Sequence, residues 1–342
     1  MFKILLTITT LSLVFFAGAM QTVASPQAGD ITLEQKVFQE ILSTVLIHDT
    51  EQALTELNKL QHTLKMLETD GNIIQTQKQF IHFMTAWKKV QTAYIAGFLN
   101  EDLLDHPRYI DTYHQGNEDI GKQLSRVLKT KTDVSTALFK HSYKTINALE
   151  YVLFTAFTKQ STRSIQIAKA ITQSLERYLK DINETYTNPE LTETAGKAAL
   201  SQLANSLLNS SYQLHAWRTG EAGGFIAKYQ DKPSIKRLEY YRSTASLQAI
   251  HAILETHQRV IGVNERTGLA QLRPNQSEVS FLQRKLKSTY TATLSPTPLT
   301  AQVKSKAFKN LYTALKELHD AYFLLLIDAL GLQAKILDAD GD

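Results

Sequence analysis

Apolar side chains recur every three or four positions along most of this chain, which is the spacing of one face of an α-helix. The pattern predicts helices around Trp87 and over about residues 163–186, 192–217, 243–261, 276–291 and 300–331. Thr32 and Gln35 predict a capping box at the start of an earlier helix. No segment shows the strict alternation of a half-buried strand. We therefore predict an all-α protein.

Glycine and proline, which interrupt helices, are few at 14 and 7, and they cluster at a small number of breaks. A break from Lys159 to Thr162 divides the chain into an N-terminal group of helices, residues 30–160, and a C-terminal group, residues 161–342. Each group is long enough to form a helical bundle whose apolar stripes face inward. The chain has no repeat at a fixed period, which argues against a solenoid.

The segment from Tyr143 to Phe157 places a carboxylate, Glu150, inside an apolar helical run. Helical spacing puts Tyr143, Asn147, Glu150 and Phe154 on one face. Because an unpaired buried carboxylate is costly, we expect Glu150 to find donors or a cation, or to stay protonated. We predict that its partner is Asn147 or a residue of the Trp87 helix. The alternative is a structural acid that is satisfied locally or reaches solvent.

Residues 1–24 predict a cleavable signal peptide, because Lys3 is followed by an apolar run and small residues. The chain has no cysteine, which excludes an N-terminal lipid anchor on Cys, disulfides and thiolate metal sites. No later stretch is apolar for long enough to cross a bilayer. We predict a periplasmic or secreted protein with no stable membrane anchor. Removing Lys3 lowers the net charge from +4 to +3, too small to suggest a nucleic-acid partner.

Glu150 also carries a resemblance to the imelysin-like family of bacterial periplasmic and surface proteins. The family signature is Gly-x-His-x-x-Glu followed by aromatic and apolar helix residues, and this chain has Thr145, Asn147 and Glu150 at the three signature positions. Other segments resemble the family in the same order: the Trp87 helix, residues 246–272 and the C-terminal ALGLQAKILDADGD. The resemblance implies two helical-bundle halves with rough pseudo-symmetry, packed into one compact unit.

The resemblance implies a metal site at Asn147 and Glu150, since His and Glu three residues apart share a helix face. An Asn amide oxygen is a weak ligand for hard cations and a poor one for zinc or iron. We therefore predict that a divalent metal or iron binds there weakly or not at all. Alternatively, Asn147 donates to Glu150 in a polar network without an ion. Thr145 in place of Gly is expected to close a helix contact or narrow a pocket.

Further candidates lie outside the signature. The resemblance implies a central cleft, for which Trp87, Tyr94 and Tyr143 are candidate stacking surfaces; core packing is the alternative for Trp87 and Tyr94. Asp338 and Asp340 belong to an acidic C-terminus that resembles the family ending, so we expect it to be ordered and to attract a cation or a basic side chain. A solvated terminus is the alternative.

Two other segments contain possible metal ligands. His251 and Glu255, four residues apart, form either a second metal-binding pair or a helix-surface contact. The stretch from Asn100 to Gly121 is long, polar and rich in Asp, Glu and His, although its spacing fits no metal motif.

Motifs of standard hydrolases are missing from the sequence: His-Glu-x-x-His, a Gly-x-Ser-x-Gly elbow, a glycine-rich phosphate loop and a cysteine nucleophile. The resemblance implies an exported binding protein linked to iron or other metal acquisition, with envelope iron-uptake components or a small ligand as partners. The alternatives are a metallopeptidase-like enzyme and a polysaccharide- or peptide-binding protein. A hydrolytic metal site needs three ligands and an activated water. Because Asn147 replaces the signature His, we expect no peptidase activity.

Overall fold

A computed structural model describes residues 31–114, 118–157, 162–263, 267–273, 277–294 and 297–328. Helices and turns, with no strand, make up these ranges, which confirms the all-α prediction. From Thr32 onward the described chain forms one compact unit. The predicted signal peptide, residues 159–161 of the expected break, and Asp338 and Asp340 of the acidic tail lie outside the described residues. The expected division into halves and their pseudo-symmetry stay predictions.

Fourteen α-helical segments lie within the described residues, and π-helical or 3₁₀ turns extend or connect several of them. The segments are α1 Leu33–Ile41, α2 His48–Asp70, α3 Ile73–Thr92, α4 Ala96–Leu99, α5 His106–Ile110, α6 Ile120–Val127, α7 Val134–Ala137, α8 Ile146–Tyr151, α9 Thr162–Thr187, α10 Pro189–Thr192, α11 Lys197–Gln213, α12 Ser246–Ile261, α13 Ser277–Ala292 and α14 Lys306–Asp328. The five longer helices predicted after residue 160 correspond to α9, α11, α12, α13 and α14, with boundaries shifted by a few residues.

The first long helix starts at the predicted capping box. The Gln35 amide donates to Thr32 Oγ1 at 3.2 Å, and Gln35 Oε1 accepts from the Thr32 amide at 2.9 Å. The helix continues from α1 through a π-helical segment, Leu42–Ile47, into α2, and ends at Gly71, whose φ of 65° is the left-handed conformation that glycine adopts easily. Gly71 and Asn72 then reverse the chain into α3.

Packing follows the apolar faces. α2 lies against α3 and α9, α12 packs on α3, and α14 packs on α13 and α11. Along α9, buried residues recur at threes and fours, at Ile165, Ala168, Ile171, Leu175, Leu179 and Ile182. Trp87 is fully buried among these helices. The apolar periodicity in the sequence therefore corresponds to the core of the folded chain.

The segment from Tyr143 to Phe157 is not the single α-helix that its spacing predicts. It consists of a 3₁₀ turn at His141–Lys144, the short helix α8, and a π-helical segment at Val152–Ala156. Thr145 separates the first two, because its Oγ1 accepts the Ala148 amide at 3.3 Å and caps α8. Tyr143 thus precedes the helix and does not share a helical face with Glu150. Thr145, expected to fill a contact, is a helix cap.

Candidate functional site

Glu150 lies on α8 and is only 5% exposed, as its apolar surroundings predict. Its partner, however, is Ser243, just before α12: the Ser243 amide and Oγ both donate to Glu150 Oε1 at 2.8 Å. The prediction that Asn147 or the Trp87 helix would bind this carboxylate is therefore wrong. Glu150 forms no ion pair with any described residue. Burial raises its pKa, and the Ser243 hydrogen bonds and the Arg242 charge offset that effect only in part.

Asn147, one turn before Glu150, is held by a different segment. Its Oδ1 accepts the Thr112 amide at 2.7 Å and Thr112 Oγ1 at 3.0 Å. Both lone pairs of the amide oxygen are thus occupied. An oxygen that already accepts two hydrogen bonds is a still poorer metal ligand than the sequence alone suggests. In this arrangement Asn147 connects α8 to the chain that follows α5.

Asn147 and Glu150 line one wall of a cavity of about 280 Å³, which we call the signature cavity. The other lining residues are 112–114, 118–121, Tyr151, Lys236 and 238–242. It contains groups of both charges, with Glu118, Asp119 and Glu150 among the acids and Lys236 and Arg242 among the bases. The cavity can therefore meet a polar ligand that carries either charge.

Arg242 is positioned in this cavity by two aromatic rings and a glycine. Its guanidinium lies 4.5 Å from the centroid of the Tyr241 ring and 5.2 Å from that of Tyr151. A Cβ at Gly121 would lie 2.8 Å from Arg242 Nη2 and 3.1 Å from the Tyr151 ring. Glycine at position 121 therefore leaves the space that the guanidinium of Arg242 occupies.

Next to the cavity lies a buried group of charges, Lys88, Asp111, Arg218 and Glu239, which we call the charge cluster; its member Glu239 also lines the cavity. Lys88 Nζ is 2.5 Å from Asp111 Oδ2 and also contacts Glu239 Oε1. Arg218 Nε donates to Glu239 Oε2 at 2.7 Å. Two cations thus meet two carboxylates, so the cluster is neutral overall, which burial requires. Burial alone would raise the pKa of Asp111, but the Lys88 charge holds that pKa below its usual value.

Trp87 and Tyr240 complete the hydrogen bonds of the cluster. Trp87 Nε1 donates to Asp111 Oδ2 at 3.3 Å, and the Tyr240 hydroxyl donates to the same oxygen at 3.1 Å. Trp87 has no exposed surface. Its predicted role as a stacking surface in a cleft is therefore wrong, and the core alternative is confirmed.

The two tyrosines proposed as cleft surfaces are also placed elsewhere. The Tyr94 hydroxyl donates to the Leu103 carbonyl at 2.5 Å, and the partly buried ring packs against the core. Tyr143 donates to Gln123 Oε1 at 2.6 Å and lines a different cavity, beside Phe139. Neither ring lines the signature cavity. Tyr94 thus packs against the core, which was the alternative for it, and a stacking role for Tyr143 stays a prediction.

The candidate ligands between Asn100 and Gly121 do not form one site. Asp111 belongs to the charge cluster, His106 pairs with Asp181 at 3.0 Å, and His114 pairs with Glu221 at 3.0 Å. Asp119 caps α6 by accepting the Lys122 amide. The polar composition of this stretch thus serves several separate contacts.

His251 and Glu255 both line a cavity of about 400 Å³. Glu255 Oε1 accepts from Lys89 Nζ at 2.7 Å, and His251 Nδ1 lies 2.8 Å from Thr293 Oγ1. Each side chain is therefore held by its own partner.

Sequence reasoning missed Lys88, Thr112, Arg218, Glu239 and Ser243. Lys88 had a usable signal, because it follows Met84 by four residues and so falls within the apolar stripe of the Trp87 helix. The others lie 21 to 151 residues from their partners along the chain.

A transition metal does not fit the signature positions in this arrangement. Asn147 Oδ1 and Glu150 Oε1 each accept two hydrogen bonds from protein donors. Across the described ranges, no group of three or more His, Cys, Asp or Glu side chains is placed to hold a metal ion. Glu150 Oε2 accepts no hydrogen bond from a described residue, so it is the one signature oxygen left for a ligand.

The helical fold and the position of the signature on α8 define an imelysin-type protein. The family model for imelysin, peptidase M75, matches residues 47–326, and the chain belongs to this family. An imelysin-like protein from Psychrobacter arcticum 273-4 is similar in structure, with a TM-score of 0.73, 15% identity, and coverage of 88% of this chain and 96% of that chain.

A second solved structure, an iron-regulated protein A precursor from Parabacteroides distasonis ATCC 8503, gives a TM-score of 0.68 at 10% identity. It too is matched over 96% of its length, with 88% of this chain covered. At these identities the likeness shows the fold. A comparison with curated proteins finds no match. None of the described helices is both long and apolar enough to span a membrane.

Proposed function

We propose that this chain is an exported binding protein of the cell envelope that acts in iron or other metal acquisition, and that it binds a small polar ligand in the signature cavity. The export signal predicted for residues 1–24 supports the location. The connection to iron is supported by a structural relative that is named an iron-regulated protein A precursor.

One observation carries the proposal. Glu150 lines the cavity with one carboxylate oxygen fixed by Ser243 and the other without a hydrogen-bond partner among the described residues. The same cavity is lined by Arg242, whose guanidinium lies over the rings of Tyr151 and Tyr241. An acid and a base that both face a cavity without pairing to each other favour a ligand with complementary groups. Such a ligand carries polar groups of its own and is not a bare transition-metal ion.

The same geometry opposes peptidase activity, although the family carries a peptidase name. Hydrolysis at a metal site needs about three protein ligands and an activated water. The signature offers one free carboxylate oxygen and an amide oxygen that is already occupied. Casein incubated with the purified protein and zinc should stay intact.

The experiment uses the bacterium that encodes this chain. We expect a deletion strain to grow more slowly than wild type when an iron chelator is added, and a plasmid copy of the gene to restore growth. Arg242→Ala should restore it poorly, because it removes the base from the cavity. Lys228→Ala, a basic residue outside the cavity lining, is the matched control and should restore growth fully. Unchanged growth of the deletion strain under chelation would refute the role in metal acquisition.

A further inference from the structure

Two histidines far from the signature lie side by side. His215 is in the π-helical segment Leu214–Glu221 that continues α11, and His319 is on α14. Their ring centroids are 4.9 Å apart with an interplanar angle of 28°, and both rings are half-buried. Tyr212 packs edge-on against both, with centroid distances of 5.4 and 5.8 Å. The pair is thus confined by its neighbours and still partly accessible.

The tautomer of His319 follows from the hydrogen bonds of Ser211. Ser211 Oγ donates its only proton to the Leu208 carbonyl at 2.7 Å. The same Oγ lies 2.9 Å from His319 Nδ1, a contact in which the donor depends on the tautomer of the ring. When the hydroxyl proton goes to the Leu208 carbonyl, His319 donates from Nδ1, and Nε2 keeps its lone pair.

His215 is fixed in the same tautomer by the same residue. Its Nδ1 lies 3.3 Å from the Ser211 carbonyl oxygen, which is an acceptor only. Nδ1 is therefore the donor and Nε2 has a free lone pair. Burial lowers the pKa of His215, and burial together with His215 lowers the pKa of His319 to about 4.

We propose that His215 and His319 form a two-nitrogen site for a borderline divalent transition metal, with Cu²⁺ preferred over Ni²⁺ and Zn²⁺. Metal–imidazole bonds of about 2.0–2.1 Å let one ion join two nitrogens up to roughly 4 Å apart. The ring centroids are 4.9 Å apart and both Nδ1 atoms face Ser211, so one ion can join the two Nε2 atoms once rotation of the rings directs their in-plane lone pairs toward it. The order of metals follows the general rise of affinity toward Cu²⁺.

Ser211 is the positioning residue of this site. A ligating histidine usually donates its other ring N–H to a carbonyl or similar acceptor, which fixes the ring and increases the basicity of the ligating nitrogen. Here one serine supplies both acceptors, its carbonyl to His215 and its hydroxyl to His319. Asp320 is close by, but Lys316 holds it at 2.9 Å on the exposed surface. Water fills the remaining coordination positions.

The site is independent of the proposed function, since it shares no residue with the signature cavity. If the histidine pair binds no metal, the growth phenotype expected for Arg242→Ala is unchanged. If Arg242→Ala has no growth phenotype, the metal titration expected for the histidine pair is unchanged. The two proposals can therefore fail separately.

The experiment is calorimetric titration of Cu²⁺, Ni²⁺ and Zn²⁺ into the full chain without an affinity tag. We expect Cu²⁺ to bind with a micromolar or lower Kd, and His215→Gln and His319→Gln each to weaken it about tenfold or more. Ser211→Ala should weaken it less. His251→Gln is the matched control, because His251 is another half-buried histidine with a lowered pKa and a hydroxyl partner on Nδ1. The His251→Gln variant should bind Cu²⁺ as tightly as the wild type does.

Electron paramagnetic resonance of the wild-type Cu²⁺ complex tests the ligands without any substitution. Hyperfine splitting from two imidazole nitrogens is the expected spectrum. A spectrum with oxygen ligands alone would assign the ion to carboxylates such as Asp338 and Asp340 and overturn the proposal. Absence of binding to wild type, or an equal loss of affinity in His251→Gln, would overturn it as well.

Discussion

The charge cluster and the signature pair, Asn147 and Glu150, are neighbouring polar groups in the protein interior. The charges of the cluster are all paired with opposite charges, whereas the carboxylate of Glu150 is not. In the cluster, each of Lys88, Asp111, Arg218 and Glu239 contacts an opposite charge. Glu150 contacts only a serine, and its second oxygen has no partner among the described residues. Burial of a charged residue alone therefore does not show whether that residue binds a ligand or stabilises the fold. The incomplete partnership of Glu150 distinguishes a binding position from a structural one.

The comparison predicts a large loss of stability on removing a cluster charge. Lys88→Met leaves two buried carboxylates with only Arg218, and we expect the free energy of unfolding to fall by about 3–5 kcal/mol. Urea denaturation measures the change. Lys59→Met, which removes an exposed ion pair with Glu56, is the matched control and should cost less than about 1 kcal/mol.

A double variant checks the reason for that loss. Lys88→Met combined with Glu239→Gln should recover part of the stability, because each single change leaves a charge uncompensated. If Lys88→Met alone lowers the free energy of unfolding as little as Lys59→Met does, the charge cluster does not stabilise the fold as we predict.

Conversion of the signature pair should change metal affinity. Asn147→His restores an imidazole three residues before Glu150, and we expect zinc affinity at this position to rise about tenfold, or about 1.4 kcal/mol. The titration should be done in a His319→Gln background, so that the histidine pair does not contribute. Asn147→Gln keeps the amide and is the control without a gain. Adding Glu150→Gln to Asn147→His should abolish the gain; if it persists, the imidazole binds zinc without the carboxylate.

The two regions should respond to pH with opposite signs. Because the pKa of Glu150 is raised on folding, the native state binds more protons, and its contribution to stability is lost as pH rises from the ordinary Glu value to the raised one. Asp111 has a lowered pKa, so its contribution is lost as pH falls through that value. Glu150→Gln should therefore flatten the decline above about pH 4.5. Urea denaturation from pH 4 to 8 would show it, and an unchanged slope would contradict the burial effect.

The smallest expected effect comes from the wall of the cavity. Gly121→Ala places a methyl group against Arg242 Nη2, which can move because it ends a flexible side chain. Better helix propensity offsets part of the contact, so stability should change by less than about 1 kcal/mol. Complementation of the deletion strain should nevertheless weaken, because the guanidinium is displaced. Full complementation would mean that the position of Arg242 does not matter.

The apolar periodicity of the sequence predicts the long helices, because the buried residues of a helix such as α9 recur every three or four positions. It also predicted the burial of Glu150. It could not predict Ser243 as the partner, because that contact joins residues 93 positions apart and depends on tertiary packing. Nor could it predict that Thr145 caps α8 and separates Tyr143 from the signature, since capping competes with helix continuation at a single residue.

The charge cluster also has a consequence for the order of folding. Lys88 gains Asp111 from 23 residues further along the chain, but Glu239 arrives only after 151 residues. Until then Lys88 has only one of its two carboxylate partners. Contacts between such distant residues form slowly because a long loop must close first. The charge cluster can therefore be completed only after residues 236–243 have packed against the N-terminal helices.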